Sequence, residues 1–296
     1  MFKSGFIGIV GRPNVGKSTL LNRIVGEKIA ITTRKPQTTR NRIMGIRNLT
    51  AGQMIFMDTP GIHRATTPLN RRMVSEAKET FRTVDVILLM VEAPAGVHRE
   101  DPPIIASLRE TRLPAILAIN KADLVKKQEV LPLIDRYRQL HAFAALVPLS
   151  AVTGEGVAPL LDEILKILPA GQPFFPEDAM TDRSERFIAA EIIREKIIQL
   201  THKEIPYATA VVVDAFREEA DRPLIRIQAT IHVEKPSQKG ILIGRKGAML
   251  KEIGSRARLD MERFFASRIF LELFVRVQKD WTHDEKMLKE FGYSNQ

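Results

Sequence analysis

Eight residues near the start, Gly11-Arg12-Pro13-Asn14-Val15-Gly16-Lys17-Ser18, follow the spacing G-x-x-x-x-G-K-S. They lie between a short apolar run, Phe6-Ile7-Gly8-Ile9-Val10, and a helical pattern over residues 18–25. Glycines in such a loop let main-chain N–H groups wrap phosphate oxygens. Lys17 adds a point charge for the outer phosphates, and the Ser18 hydroxyl suits Mg2+. The helix that opens here contributes further positive potential. Asn14, Val15, Gly16, Lys17, Ser18 and Thr19 are therefore candidate nucleotide-binding residues. The motif does not by itself separate ATP from GTP.

Asn120-Lys121-Ala122-Asp123 makes that choice. It follows the apolar run Ala115-Ile116-Leu117-Ala118-Ile119, and ligands of open α/β sheets bind beyond the carboxyl ends of strands. A carboxylate at Asp123 accepts two hydrogen bonds from the ring N–H and exocyclic amino group of guanine. Adenine would leave that acceptor unpaired. Asp58-Thr59-Pro60-Gly61 ends another apolar run; Asp58 is placed to hold Mg2+ through water, and the Gly61 N–H to sense the γ-phosphate. Ser150-Ala151, after a fifth run, is expected to back the guanine through main-chain N–H groups. Residues 32–40, Thr-Thr-Arg-Lys-Pro-Gln-Thr-Thr-Arg, are polar and aperiodic, so a mobile loop is expected. A threonine there, Thr39 in preference to Thr38, would complete the Mg2+ shell (Ser18, Thr39, Asp58) only with the γ-phosphate present, which makes an order–disorder switch.

A second group of residues suits a different anion. Residues 235–258 hold Lys235, Lys239, Arg245, Lys246, Lys251, Arg256 and Arg258 against the single acid Glu252. Among them Gly244-Arg245-Lys246-Gly247 brackets two cations with two glycines. The glycines permit close approach to a nucleic-acid backbone and the cations neutralise its phosphates. Gly244, Arg245, Lys246, Gly247 and Lys251 are the candidate RNA-binding residues, with Ile241, Ile243 and Ile253 in a groove or in the core behind it. Aromatic residues make up 6% of the chain, which argues against a stacking platform and for an aliphatic groove.

Positioning these groups requires two folded bodies, and 296 residues suffice for both. In the first half, strands are expected at 6–10, 42–49, 53–57, 84–91, 115–119 and 146–149, with a turn at Ala51-Gly52. Helices are expected at 18–25, 70–82, 103–111 and 129–141. Near-continuous apolar strands alternating with helices indicate a doubly wound, mostly parallel sheet; the 42–49/53–57 hairpin makes one edge strand antiparallel. The stretch Leu168-Pro169-Ala170-Gly171-Gln172-Pro173-Phe174-Phe175-Pro176 resists regular structure and sets the expected division: residues 1–168, a linker at 169–183, and 184–296. The second body reads as a helix at 184–201, strands at 208–215 and 224–233, a short helix, the glycine turn, a helix at 248–267, a strand at 270–277 and a polar tail. His98, His141 and His232 are scattered and Trp281 reads as a packing residue.

The net charge of +10, from 45 Lys and Arg against 35 Asp and Glu, favours an anionic partner. The absence of cysteine excludes disulfides, thiolate nucleophiles and cysteine-ligated metals. The opening residues run straight into a motif-bearing strand and no apolar run is long enough to span a bilayer. The chain is therefore expected to be cytoplasmic; a monomer is also expected.

Together the nucleotide motifs resemble those of the translation-factor-related GTPases over residues 5 to about 168. The departure is Ile62, where Ras-like members place a water-orienting glutamine. No catalytic base is assigned; Lys17, Asn14 and Gly61 are left to stabilise the transition state. In similar GTPases with asparagine at the position of Asn14, a potassium ion assists. The second body, with its helix–strand–strand–helix–G-x-x-G–helix–strand order, resembles a type II KH domain. A GTPase followed by such a domain resembles the Era GTPases across almost the whole chain, including residues 34–40 and Asp58-Thr59-Pro60-Gly61-Ile62-His63. The resemblance implies GTP/GDP and Mg2+ as ligands and binding near the 3′ end of 16S ribosomal RNA. It also implies a switch role in maturation of the 30S subunit, with loose association at the inner membrane. Two alternatives remain: a GTPase whose basic part targets anionic membrane, and a tRNA-modification GTPase. The latter family uses a C-terminal cysteine, which this chain lacks.

Overall fold

The computed structural model describes residues 1–33, 35, 38–61, 69 and 82–293. The expectations for Arg34, Pro36, Gln37, Ile62, His63 and nearly all of the 70–82 helix lie outside them. The chain divides into two compact units, one made of residues 1–30, 39–65 and 71–182, the other of 31–38, 66–70 and 183–296.

In the first unit six strands form one sheet in the order β2-β3-β1-β4-β5-β6. They are β1 (Lys3–Gly11), β2 (Ile43–Leu49), β3 (Gly52–Asp58), β4 (Val86–Glu92), β5 (Ala115–Asn120) and β6 (Ala145–Pro148). Only β2, at the edge, runs antiparallel to its neighbour. Strands β3 and β5 are buried along their whole length and β4 along all but its last residue. Burial on both faces is what a parallel sheet covered on both sides demands, and it explains why these runs show no polar alternation.

Four described helices complete the unit: α1 (Lys17–Val25), α2 (Asp101–Thr111), α3 (Lys127–Leu140) and α4 (Val157–Ile167). Ile104 and Leu108 of α2 and Leu133 and Tyr137 of α3 join Leu89, Val91, Leu117 and Ile119 in one core. Leu21 and Val25 of α1 press so closely on β2 that a Cβ on Gly45 would lie 2.5 and 2.8 Å from them. The expected turn at Ala51-Gly52 is tighter than its sequence suggests, since Gly52 already pairs with Lys3 in the sheet.

The proline-rich stretch is no loose tether. Phe174 and Phe175 donate main-chain N–H groups to Gln53 Oε1 at 2.7 and 3.0 Å, and the Phe174 ring lies 4.9 Å from that of Phe6. Thr181 donates its hydroxyl to the Met44 carbonyl at 2.6 Å. The first unit therefore keeps the chain as far as residue 182.

The second unit contains α5 (Glu185–Leu200), β7 (Thr209–Glu218), β8 (Leu224–Val233), α6 (Pro236–Ile243), α7 (Ala248–Phe264), β9 (Arg268–Val277) and α8 (Glu285–Glu290). Its sheet runs β7-β8-β9, with β7 antiparallel and β9 parallel to β8. A parallel β8–β9 pair needs a long crossover, which α6 and α7 supply. Ser184 caps α5 by accepting from the Phe187 N–H at 3.3 Å. The expected polar tail is in part a packed element. Trp281 is fully buried and donates its indole N–H to the Ala208 carbonyl at 3.0 Å, and Phe291 lies 4.4 Å from His232. Trp281 thus packs as its residue type suggests, against partners that the polar run 282–290 does not mark. No helix among the described residues is long and apolar enough to cross a membrane.

Candidate functional site

Because β1, β3, β5 and β6 run parallel, the four motifs that follow them emerge at one edge of the sheet. The phosphate-type loop sits between β1 and α1. Gly11 and Gly16 have φ of +149° and +103°, and Asn14 has +64°. A Cβ on Gly16 would lie 2.2 Å from Asn120 Nδ2, and one on Gly61 2.8 Å from Pro13 N. Backbone approach is thus as close as the glycine spacing implied. Lys17 is buried and donates to the carbonyls of Gly11 and Arg12 at 3.2 and 3.1 Å. Burial pushes its pKa down to about 8, partly offset by Asp58.

Ser18, Thr39 and Asp58 meet. Ser18 Oγ donates to Asp58 Oδ2 at 2.6 Å; Thr39 Oγ1 lies 2.9 Å from Ser18 Oγ and 3.4 Å from Asp58 Oδ2. Asp58 is fully buried, and burial pushes its pKa up against the pull of Lys17. Its Oδ1 has no hydrogen-bond partner, a costly state for a buried carboxylate oxygen that a cation relieves. Thr38 is elsewhere: its hydroxyl donates to the Lys35 carbonyl at 2.8 Å and lies 2.7 Å from that of Thr33. The described residues of this loop make hydrogen bonds within the chain.

Asn120 works inside the protein. Its Nδ2 donates to the Val15 carbonyl at 2.7 Å and its Oδ1 accepts from the Ala151 N–H at 2.9 Å. One side chain thereby ties three loops together. The Ser150 N–H donates to the Glu155 carbonyl at 2.9 Å. Both N–H groups expected to face guanine have acceptors in the chain, and Ala151 braces Asn120. Lys121 is ion-paired with Glu92, and Asp123 is exposed in the turn that follows.

A buried network went unread in the sequence. Arg12 Nε donates to Asp101 Oδ1 at 2.8 Å, and the Tyr137 hydroxyl donates to Asp101 Oδ2 at 2.7 Å. It anchors the phosphate-type loop to α2 and α3. Arg12 and Asp101 are 89 residues apart, so no local pattern marks the pair.

In the second unit, Gly244 closes α6 with φ +70° and Gly247 opens α7 with φ +82°; Lys246 between them has φ +52°. A Cβ on Gly244 would lie 2.8 Å from that of Met249, whereas Gly247 has open space around it. Arg245, Lys246 and Lys251 are exposed and make no salt bridge among the described residues, while Arg256 and Arg258 are paired with Glu252 and Glu262. Pairing thus removes Arg256 and Arg258 from the run, while Lys235, Lys239 and the cations of the glycine loop make no salt bridge among the described residues. Ile253 is core, Ile243 half-buried and Ile241 about half exposed at 52%.

Comparison with known proteins agrees with both halves. A family model described as 50S ribosome-binding GTPase matches residues 6–121, and a KH-domain model matches residues 204–282. The GTPase Era of Syntrophus aciditrophicus is 69% identical over 294 residues, covering 99% of this chain and 96% of that protein. The Geobacter metallireducens GTPase Era is 55% identical, covering 99% and 98%. Two solved structures, each 40% identical, superpose with a TM-score of 0.96. One is an Aquifex aeolicus Era variant bound to GDP·AlF4−, matched over 99% of this chain and all of that one. The other is Era with MgGDPNP and nucleotides 1506–1542 of 16S ribosomal RNA, matched over the whole of both chains. A phosphate loop with guanine-type motifs on a mostly parallel sheet, joined to a KH domain and matched end to end at these identities, makes the chain a member of the Era family of GTPases.

Proposed function

We propose that this GTPase acts as a Mg2+-dependent switch that binds small-subunit ribosomal RNA near its 3′ end during maturation of the 30S subunit. The observation that carries the switch is the meeting of Ser18 and Thr39 at Asp58 Oδ2, with the buried Asp58 Oδ1 left without a hydrogen-bond partner. Two hydroxyls and a buried carboxylate are hard oxygen donors, the set Mg2+ prefers beside nucleotide phosphates. When bound, the ion would neutralise charge developing on the transferring phosphoryl group. Lys17 faces the outer phosphates, whose negative charge offsets its desolvation. Asn14, Val15, Gly16 and Thr19 complete the phosphate cradle, with Gly61 beside the γ-phosphate. Asp123 selects guanine, and Asn120, Lys121, Ser150 and Ala151 hold and wall that pocket. Potassium at Asn14 remains part of the proposal for hydrolysis.

RNA recognition is assigned to Gly244, Arg245, Lys246, Gly247 and Lys251. The relative solved with a 16S fragment supports this, as do the exposed cations of this loop, which make no salt bridge among the described residues. The same reading divides the chain into 1–168, 169–183 and 184–296, and keeps a monomer with loose attachment to the inner membrane surface. Hydrolysis of GTP by Asp58→Asn across a Mg2+ series tests the switch. We expect turnover to fall about 100-fold or more, the size seen when a group stabilising developing charge is removed. Undiminished Mg2+-dependent turnover would remove Asp58 from the site.

A further inference from the structure

Strand β4 lies between the two strands that lead into the phosphate and base motifs, and carries neither. To one side is β1, which enters the phosphate-type loop; to the other is β5, which enters Asn120–Asp123. Met90 of β4 pairs in register with Gly11, and Glu92, its last residue, pairs with Asn120. The register thus sets one carboxylate at the carboxyl end of the sheet, between loops suited to opposite ends of a nucleotide.

Glu92 uses both oxygens. Its Oε2 accepts from the Lys121 ammonium, and its Oε1 lies 3.8 Å from Arg12 Nη1. Arg12 is buried, and a buried cation needs fixed partners. Its Nε donates to Asp101 Oδ1 at 2.8 Å, while Asp101 Oδ2 accepts from the Tyr137 hydroxyl at 2.7 Å and the His98 N–H at 2.9 Å. Burial and the Asp101 carboxylate push the pKa of Tyr137 up, so its hydroxyl stays a donor. The guanidinium therefore cannot swing away from Glu92 without stranding Asp101. The Arg12 carbonyl also accepts from Lys17 at 3.1 Å. One path of contacts thus runs from the phosphate lysine to Lys121, all inside the first compact unit.

Lys121 is a residue that needs holding. Its φ of +60° and ψ of +32° are left-handed, a conformation that a residue with a Cβ adopts only at a cost met by its surroundings. The same conformation starts the next turn: the Leu124 N–H donates to the Lys121 carbonyl at 3.1 Å, with Asp123 inside that turn. Tethering the Lys121 side chain restricts the backbone that carries Asp123. We propose that Glu92 is a positioning residue for guanine recognition: clamped to Arg12 of the phosphate-type loop, it holds Lys121 and thereby the turn that presents Asp123. The inference rests on the reading of Asp123 as the guanine contact. It makes base selectivity depend on a side chain of the phosphate-type loop.

The test uses the full chain with GDP and with inosine diphosphate, which keeps the ring N–H of guanine and lacks its exocyclic amino group. Affinities are read by calorimetric titration for wild type, Glu92→Gln, Arg12→Lys and Asp123→Asn. Glu92→Gln keeps the size of the side chain and removes the charge that holds Lys121. Arg12→Lys keeps the charge and loses the fork that spans Asp101 and Glu92. Wild type should prefer GDP by about tenfold or more, the worth of one hydrogen bond to a charged group. Glu92→Gln should weaken GDP by about tenfold and inosine diphosphate by about threefold or less, so the preference narrows. Arg12→Lys should narrow it in the same direction by a smaller factor. Joined to Asp123→Asn, Glu92→Gln should change the ratio no further, as expected of two residues acting through one contact. Both nucleotides bind the same folded molecules, so a loss of stability alone leaves the ratio unmoved. If Asp123→Asn leaves the preference intact, the reading of Asp123 fails and the inference with it. If Asp123→Asn abolishes the preference and Glu92→Gln does not narrow it, Asp123 keeps its role and the inference alone is overturned. A narrowing by Glu92→Gln with none by Arg12→Lys would overturn the dependence on the phosphate-type loop.

Discussion

The chain contains two loops bounded by glycines and opening a helix, and they differ in what surrounds them. At Gly11–Ser18 the backbone is enclosed: a Cβ on Gly11 would lie 2.4 Å from the Met90 carbonyl oxygen and one on Gly16 2.2 Å from Asn120 Nδ2. Its lysine is 6% exposed. At Gly244–Gly247 the second glycine has nothing within 4 Å, and both cations stand in solvent. Similar backbone chemistry thus suits two kinds of anion. Enclosure suits one small ligand held by many fixed donors and read by its shape. Exposure suits a polymer gripped through its backbone, where affinity comes from counterion release.

The sharpest way to break the comparison is Gly16→Ala. The left-handed φ and the contact with Asn120 act together, and Asn120 cannot retreat without releasing Val15 and Ala151. Nucleotide affinity should fall about 100-fold or more, roughly 2.7 kcal/mol; a fluorescent GDP analogue binding within about threefold of wild type would show the loop is less enclosed than its geometry indicates. Asp123→Asn comes next. Exchanging one carboxylate acceptor for a donor should cost GTP about tenfold to 100-fold and make a xanthine nucleotide the better ligand, read by competition. Continued preference for GTP over XTP would reassign guanine recognition.

Replacing Arg245 and Lys246 with Asp should lower RNA affinity and flatten its salt dependence by about two units of log–log slope, about one for each RNA phosphate that is no longer neutralised. GDP affinity of the same protein should stay put, because the nucleotide residues lie in the other compact unit. An unchanged slope would make this loop a solvated turn. The smallest effect is expected of Gly247→Ala, where only the φ of +82° is strained. About 1–2 kcal/mol of left-handed strain should weaken RNA binding by about tenfold, far less than its counterpart at Gly16 costs the nucleotide. Comparable losses at the two glycines would erase the distinction between enclosed and open loops.

How much of the molecule is legible in its sequence follows the range of the interactions. The phosphate loop, the Asn120–Asp123 turn and the Gly244–Gly247 turn are made by residues within eight positions of one another. Their backbone geometry is a local property, so residue types and spacing suffice to locate them. The buried strands are legible for a similar reason: continuous apolar runs have few other places to go. The Arg12–Asp101–Tyr137 network and the packing of 169–182 against the first unit have no such signature. The same holds for the Trp281–Phe291 clasp, whose ring centroids lie 5.4 Å apart.

The sequence alone determined the kind of nucleotide, the order of the two bodies and where the basic loop falls, because each depends on neighbouring residues whose chemistry is the same in any surroundings. The tertiary structure decided which polar groups are already satisfied. Asn120 is a brace, two main-chain N–H groups expected to face guanine are engaged, and four charges of α5 that compose like a solvated helix are buried. The physical reason is that burial and partnership belong to pairs of distant segments. A charged residue reads the same in a sequence whether water or a backbone carbonyl satisfies it, and only folding chooses between them.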